Sequence, residues 1–176
     1  AISIGMEKSN RDLLKDKPRG KNESILNKDF LLGIGFEGLL IAIFTMVAFY
    51  IGNPKETPLT ASTMAFATLC LARLFHGFNC RGKGSIFKLG VFSNKYVWYA
   101  FGVGLVLLNA VLFVPFLQNL FEVENLAFNQ YVSIYVLAFI PTLIIQLKKV
   151  IFEFIENKKS KNNANINRSG ELKDIA

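Results

Sequence analysis

The sequence has little of what metal centres and nucleophilic sites are made from, since its 176 residues include one histidine and two cysteines. Cys70 lies inside an apolar block and Cys80 at its end, so neither predicts a disulfide. One histidine with two scattered cysteines also makes a poor zinc site. We therefore predict no metal site and no catalytic residue in this chain.

Charge is absent from most of four long apolar blocks. The blocks span residues 30–51, 59–80, 96–121 and 126–147. Their only formal charges are Glu37 and Arg73. A helix needs about 20 mostly apolar residues to cross a bilayer, and each block has that length. The sequence thus predicts an all-α membrane protein with four transmembrane helices.

These blocks divide the chain into three parts. Residues 1–29 form a charged lead-in, and residues 30–155 hold the four-helix transmembrane region. Residues 156–176 are polar and have nothing to bury, so we expect a disordered tail. Pro115 and Pro141 lie within the third and fourth blocks, and each is expected to bend its helix.

Positive charge is nearly absent from two of the segments outside the blocks. Eighteen Lys and Arg residues lie before the first block, between the second and third, and after the fourth, whereas the other two loops hold only Lys55. Because such residues collect on the cytoplasmic face, both termini and the 81–95 loop are expected to be cytoplasmic. The net charge of +7 follows from this topology, so the expected partner is membrane lipid and not nucleic acid.

The segment at residues 33–38, Gly-Ile-Gly-Phe-Glu-Gly, matches the dinucleotide-binding pattern literally. That pattern needs a preceding strand, and here it lies inside an apolar helix. Small residues at Gly35, Gly38 and Ala42 are more typical of close contact between helices.

Arg73 is the most unusual residue of the second block. An arginine at the centre of a membrane helix costs ~2.5–3.5 kcal/mol on the insertion scale, and the surrounding Leu and Phe residues return roughly 2–4 kcal/mol. The helix is marginal alone and should insert as part of a bundle. Glu37 lies at the same depth, about 10 Å from the cytoplasmic end of its helix, so we hypothesise a Glu37–Arg73 ion pair.

An ion pathway is the alternative, because ionisable groups inside a membrane often line one. Its candidates are Arg73, Glu37 and His76. His76 lies three residues after Arg73 and shares its helix face. It is a candidate proton relay, although a hydrogen-bonding role near the interface is the simpler interpretation.

Four stretches follow one another in an informative order: AISIGMEKSNRDLLKDKPR, TMAFATLCLARLFHGFNCR, SIFKLGVFSNKY and VPFLQNLFEVENLAFNQY. Together they resemble the membrane region of P-type cation-transporting ATPases of the calcium-pump type. They are similar to the stretch after the sixth helix, the eighth helix, the loop after it, and the ninth helix with the turn into the tenth. By this resemblance, which covers roughly residues 1–155, the four helices are the seventh to tenth of a ten-helix pump.

The resemblance implies a parent protein that uses ATP and Mg²⁺, forms a phospho-aspartate, and moves Ca²⁺ or a related cation out of the cytoplasm. The expected membrane is the plasma membrane. This chain has no D-K-T-G-T motif and no nucleotide-binding domain, so no catalysis is expected of it alone. Its expected partner is the remainder of the ATPase, namely the first six helices and the cytoplasmic domains. Calcium, manganese and sodium remain open as the cargo.

By the same resemblance, Arg73 falls at or beside the place where two-site calcium pumps supply a carboxylate from the eighth helix. Either the arginine replaces one bound ion as a fixed cation, or it turns away to Glu37 and the ion site is absent. Both interpretations predict one Ca²⁺ per cycle.

Two other classes of protein compete with this prediction. The chain begins with Ala1, which suggests a start partway through a longer protein, but Met6 could begin a stand-alone four-helix membrane protein or accessory subunit. The coding DNA upstream of Ala1 discriminates between them. A small channel is disfavoured because it needs a polar face along a whole helix.

Overall fold

The computed structural model describes residues 28–82, 84–86 and 90–174, and this part of the chain folds into helices without strands. The helices are α1 (Lys28–Ile51), α2 (Pro58–Asn79), α3 (Lys95–Phe113), α4 (Pro115–Phe121) and α5 (Phe128–Asp174). Four segments are long and apolar enough to cross a membrane: Phe30–Ile51, Pro58–Asn79, Lys95–Phe113 and Phe128–Ile155. The predicted all-α class and the four membrane helices are confirmed.

The third predicted block holds two helices, whereas the sequence predicts a single bent one. Val114 has an extended backbone, with φ −87° and ψ 116°, and Pro115 begins α4, where its missing N–H is not needed. The break leaves the carbonyl of Leu112 at the end of α3. The buried side chain of Gln118 donates to that carbonyl at 2.6 Å and to Asn125 Oδ1 at 2.7 Å.

The fourth membrane helix is longer than its apolar block. Helix α5 continues through Pro141, which lacks the N–H that would bond the carbonyl of Leu137, and extends to Asp174. The structure is therefore helical over residues 156–174, where the sequence predicts a disordered tail. This segment contains no proline, so no residue in it forces the helix to end.

Helix α2 lies at the centre of the bundle, where it contacts α1, α3 and α5. Of its apolar window, 44% is buried, against 6% of that of α1. The core is formed by ten buried residues: Ile41, Ala48, Met64, Ala67, Leu71, Ala72, Leu108, Leu112, Ile134 and Ala138. Because so little of α1 is covered, most of its apolar surface faces outside the bundle.

Among the described residues, the glycines of α1 do not make the close helix contacts that the sequence suggests. A Cβ atom added to Gly33, Gly35 or Gly38 would meet none of these residues within 4 Å. The close approach of α1 and α2 is instead at the turn, where a Cβ on Gly52 would lie 2.4 Å from the Cα of Ala61.

Candidate functional site

Two ionisable residues, one from α1 and one from α2, meet in the part of the bundle where α1 begins and α2 ends. Glu37 Oε2 lies 3.4 Å from His76 Nε2, and the two side chains are 25% and 21% exposed. The other ring nitrogen of His76, Nδ1, is buried and has no hydrogen-bond partner among the described residues. Cys80 follows just beyond the end of α2, and partial burial, together with the charge of Glu37, raises the pKa of its thiol.

Arg73 does not join this pair. Its side chain is exposed, and within the described ranges no carboxylate forms an ion pair with it. The hypothesised Glu37–Arg73 ion pair is therefore not formed. The Glu37 carboxylate lies against His76, which is about one helical turn closer than Arg73 to the C-terminal end of α2. Of the three candidate residues, the structure brings Glu37 and His76 together and leaves Arg73 on the bundle surface.

Lys149 of α5 binds the C-terminal end of α2. Its ammonium donates to the carbonyl of Asn79 at 2.5 Å and to the carbonyl of Gly82 at 2.9 Å. The last carbonyls of a helix lack partners within the helix and carry partial negative charge, so a cation here satisfies and stabilises them. A half-buried lysine thus caps the C-terminal end of the central helix α2.

Gln146 and Glu153 extend the same contact to the loop after α2. The amide nitrogen of Gln146 donates to Asn79 Oδ1, and its oxygen accepts from the backbone N–H of Ile86 at 3.1 Å. The carboxylate of Glu153 accepts from the backbone N–H of Ser85 at 2.7 Å and from its hydroxyl at 3.0 Å. Together with Lys149, these side chains fix the start of the 81–95 loop on α5; we call the three residues the α5 clamp.

Sequence reasoning missed the α5 clamp, although a signal was present. Positions 146, 149 and 153 follow the i, i+3, i+7 spacing that places residues on one face of a helix. They lie where the apolar span gives way to charged residues. Polar side chains are ordinary at the end of a membrane helix, so these three did not stand out.

Arg81 is a further structural cation of the loop. One of its amino groups donates to the carbonyls of Gly90 and Val91 at 3.0 and 3.3 Å, and the other donates to the hydroxyl of Ser93. Its positive charge therefore organises the loop, in addition to contributing to the charge bias of that face.

Polar side chains also join α2 to the loop before α5, and α3 to α5. Thr60 donates to the carboxylate of Glu124 at 2.5 Å, and the N–H of Glu124 donates to the hydroxyl of Thr63 at 3.0 Å. The amide of Asn109 lies 3.1 Å from the hydroxyl of Tyr135, linking α3 to α5. These groups satisfy one another, so they act as structural contacts between α2 and the loop before α5, and between α3 and α5.

The described residues contain no cluster of three or more His, Cys, Asp or Glu side chains that could hold a metal ion. Within this part of the chain, the arrangement can hold helices together, position the 81–95 loop and present an arginine on the bundle surface.

Residues 1–151 match the family model described as "Cation transporting ATPase, C-terminus", and the chain belongs to this family. The resemblance to P-type calcium pumps is thereby confirmed, and the chain corresponds to the C-terminal membrane portion of such an ATPase.

Three relatives illustrate the match. The chain is 31% identical over 170 residues to Calcium-transporting ATPase 1 of Bacillus cereus, covering 85% of this chain and 19% of that protein. It is 32% identical over 148 residues to the Calcium-transporting ATPase of Bacillus subtilis, covering 82% and 16%. It is 32% identical over 164 residues to Calcium-transporting ATPase type 2C member 2 of Rattus norvegicus, covering 91% and 17%. The chain thus spans less than a fifth of the length of each.

Proposed function

We propose that this chain supports the transport domain of a P-type calcium-transporting ATPase, which moves Ca²⁺ out of the cytoplasm at the expense of ATP. The observation that carries this proposal is the family match over residues 1–151, together with the four membrane helices that the chain forms. ATP and Mg²⁺ are used by the rest of the pump, which is the partner of this chain. No observation favours a stand-alone accessory protein.

We further propose that the pump lies in the plasma membrane with both ends of this chain in the cytoplasm. The distribution of lysine and arginine supports this orientation, since Lys55 alone lies in the two loops assigned to the outside. Helices α1 and α2 then contact the first six helices through surfaces that this chain leaves uncovered. The exposed apolar side chains of α1 support that arrangement.

Arg73 has a specific role in this proposal. Because Glu37 contacts His76, the guanidinium of Arg73 has no acidic partner among the described residues. We propose that it extends towards the missing helices and occupies the place of one calcium ion as a fixed cation. The other interpretation, in which Arg73 turns to Glu37, is not supported because the Glu37 carboxylate contacts His76.

The proposal is tested by a chimera in which this chain replaces the matching segment of the Bacillus subtilis pump. ATP-driven uptake of radioactive calcium into inverted membrane vesicles is measured beside phosphate release. We expect uptake with one Ca²⁺ per ATP. The proposal would be contradicted by a chimera that inserts fully and is phosphorylated by ATP to the same extent with and without calcium.

Changing Arg73→Glu in this chimera is expected to add calcium binding, because a carboxylate replaces the fixed cation. Equilibrium binding of radioactive calcium should show a second ion per phosphorylation site. The charge-reversing control Lys55→Glu, on an exposed turn at the other end of α2, should leave binding unchanged. Two ions bound by the unmodified chimera would rule out the fixed-cation role while leaving the pump assignment intact.

A further inference from the structure

The start of α3 carries an open groove. The groove has a volume of about 460 Å³ and is lined by Phe92, Lys95, Trp98 and Tyr99. Phe92 and Tyr99 are 76% and 71% exposed. Aromatic rings beside a lysine, at the start of a membrane helix, lie where a bilayer changes from headgroups to acyl chains.

The groove has a fixed wall. The indole N–H of Trp98 donates to the carbonyl of Val91 at 3.0 Å, and its ring stacks on Phe92 with centroids 5.2 Å apart and planes at 14°. The other side of the indole meets Phe78 of α2 edge-on, with centroids 5.0 Å apart. Three contacts hold Trp98 in place, so the groove is formed before any ligand arrives.

The charge of the groove comes from Lys95. Its side chain is exposed at the rim, whereas the nearby guanidinium of Arg81 is engaged by Gly90, Val91 and Ser93. A protein helix laid over this groove would bury the ammonium of Lys95 against apolar side chains, which is unfavourable without an acidic partner. A molecule with an anionic head and an apolar tail satisfies both parts of the surface.

We propose that this groove binds an anionic phospholipid. Lys95 contacts the phosphate headgroup, and Phe92, Trp98 and Tyr99 hold the glycerol and the first acyl carbons. This site depends on the membrane insertion of α3 and not on calcium transport, so it goes beyond the proposed pump function.

Trp98 provides the test because it is the only tryptophan of the chain. The 176-residue chain is reconstituted in phosphatidylcholine vesicles that contain a minor fraction of phosphatidylglycerol, with bromine on the acyl chains of one lipid or the other. Brominated phosphatidylglycerol should quench Trp98 about fivefold more per molecule, since one lysine near the surface contributes about 1 kcal/mol to anionic lipid binding. Lys95→Arg should retain this preference.

Lys95→Glu should abolish the preference. The neutral variant Lys95→Gln should reduce it, and it provides a second test if the reversed charge disturbs folding. Lys55→Glu is the matched control and should keep it. Equal quenching by both lipids, or a preference that survives Lys95→Gln and Lys95→Glu, would overturn the proposal. Absence of quenching by either lipid would also overturn it, because the groove would then be covered by protein. None of these outcomes bears on calcium uptake by the chimera, so the lipid proposal can fail while the proposed pump function stands.

Discussion

Replacing Gly52 with alanine is expected to lower the free energy of unfolding of the bundle by about 1–3 kcal/mol. The new Cβ would lie 2.4 Å from the Cα and 2.9 Å from the backbone nitrogen of Ala61. These are backbone atoms of the first turn of α2, so no side chain can rotate away and the two helices must separate. Unfolding of the chain in mixed micelles, followed by circular dichroism as the denaturing detergent increases, measures the change.

Gly35→Ala is the matched control for this prediction. It adds the same methyl group within α1, where no atom of the described part of the chain lies within 4 Å of the new Cβ. Alanine is favoured over glycine within helices by up to about 1 kcal/mol, so Gly35→Ala should leave the stability unchanged or raise it. If both variants unfold at the same detergent fraction, the tight contact at the α1–α2 turn does not exist.

Replacing Lys149 with methionine is expected to release the loop after α2 and to cost about 1.5–3 kcal/mol for each charged hydrogen bond lost. Methionine retains an unbranched apolar chain of similar length but leaves the carbonyls of Asn79 and Gly82 without their donor. Hydrogen–deuterium exchange should increase across residues 80–86. The N–H groups of Ser85 and Ile86, which are bonded to Glu153 and Gln146, report on the other members of the α5 clamp.

The neighbouring Lys148→Met variant separates this effect from a change in net charge. Lys148 lies over the ring of Phe36, with its ammonium 4.3 Å from the ring centroid, and this contact involves α1 in place of the loop. Exchange at residues 80–86 should remain as in the unmodified chain. Equal increases in both variants would show that charge, and not the α5 clamp, holds the loop.

Much of the fold follows from the sequence because the bilayer imposes a simple requirement on length and polarity. Four apolar runs of more than 20 residues, two of which hold a single charge, predicted four membrane helices. Two of these helices begin and end within a residue of their blocks. The inner boundary of the fourth differs, since its helix runs on beyond the apolar block. The division at Val114 was harder to predict, because proline can either bend or end a membrane helix. Here the buried amide of Gln118 satisfies a carbonyl at the break.

The candidate site was predicted less well because depth along a helix says nothing about rotation around it. The sequence predicts Glu37 and Arg73 at equal depths, yet the carboxylate meets His76, which lies three residues further along α2. The α5 clamp depends on where a loop returns to a helix about 60 residues later in the chain, and no local pattern specifies that. Arg73 was identified as unusual from its cost in a membrane, and its side chain is exposed in the structure.

The account as a whole requires four crossings with both ends in the cytoplasm, and labelling of single cysteines tests this most directly. In a chain whose Cys70 and Cys80 are replaced by serine, one cysteine at a time is introduced at Ser3, Lys55, Lys83, Ala127 or Ser169. Intact cells are then treated with a membrane-impermeant maleimide. We expect labelling at positions 55 and 127 alone, and at all five positions after permeabilisation. Labelling of position 3 or of position 169, but not both, in intact cells would place the two ends on opposite faces and contradict the account.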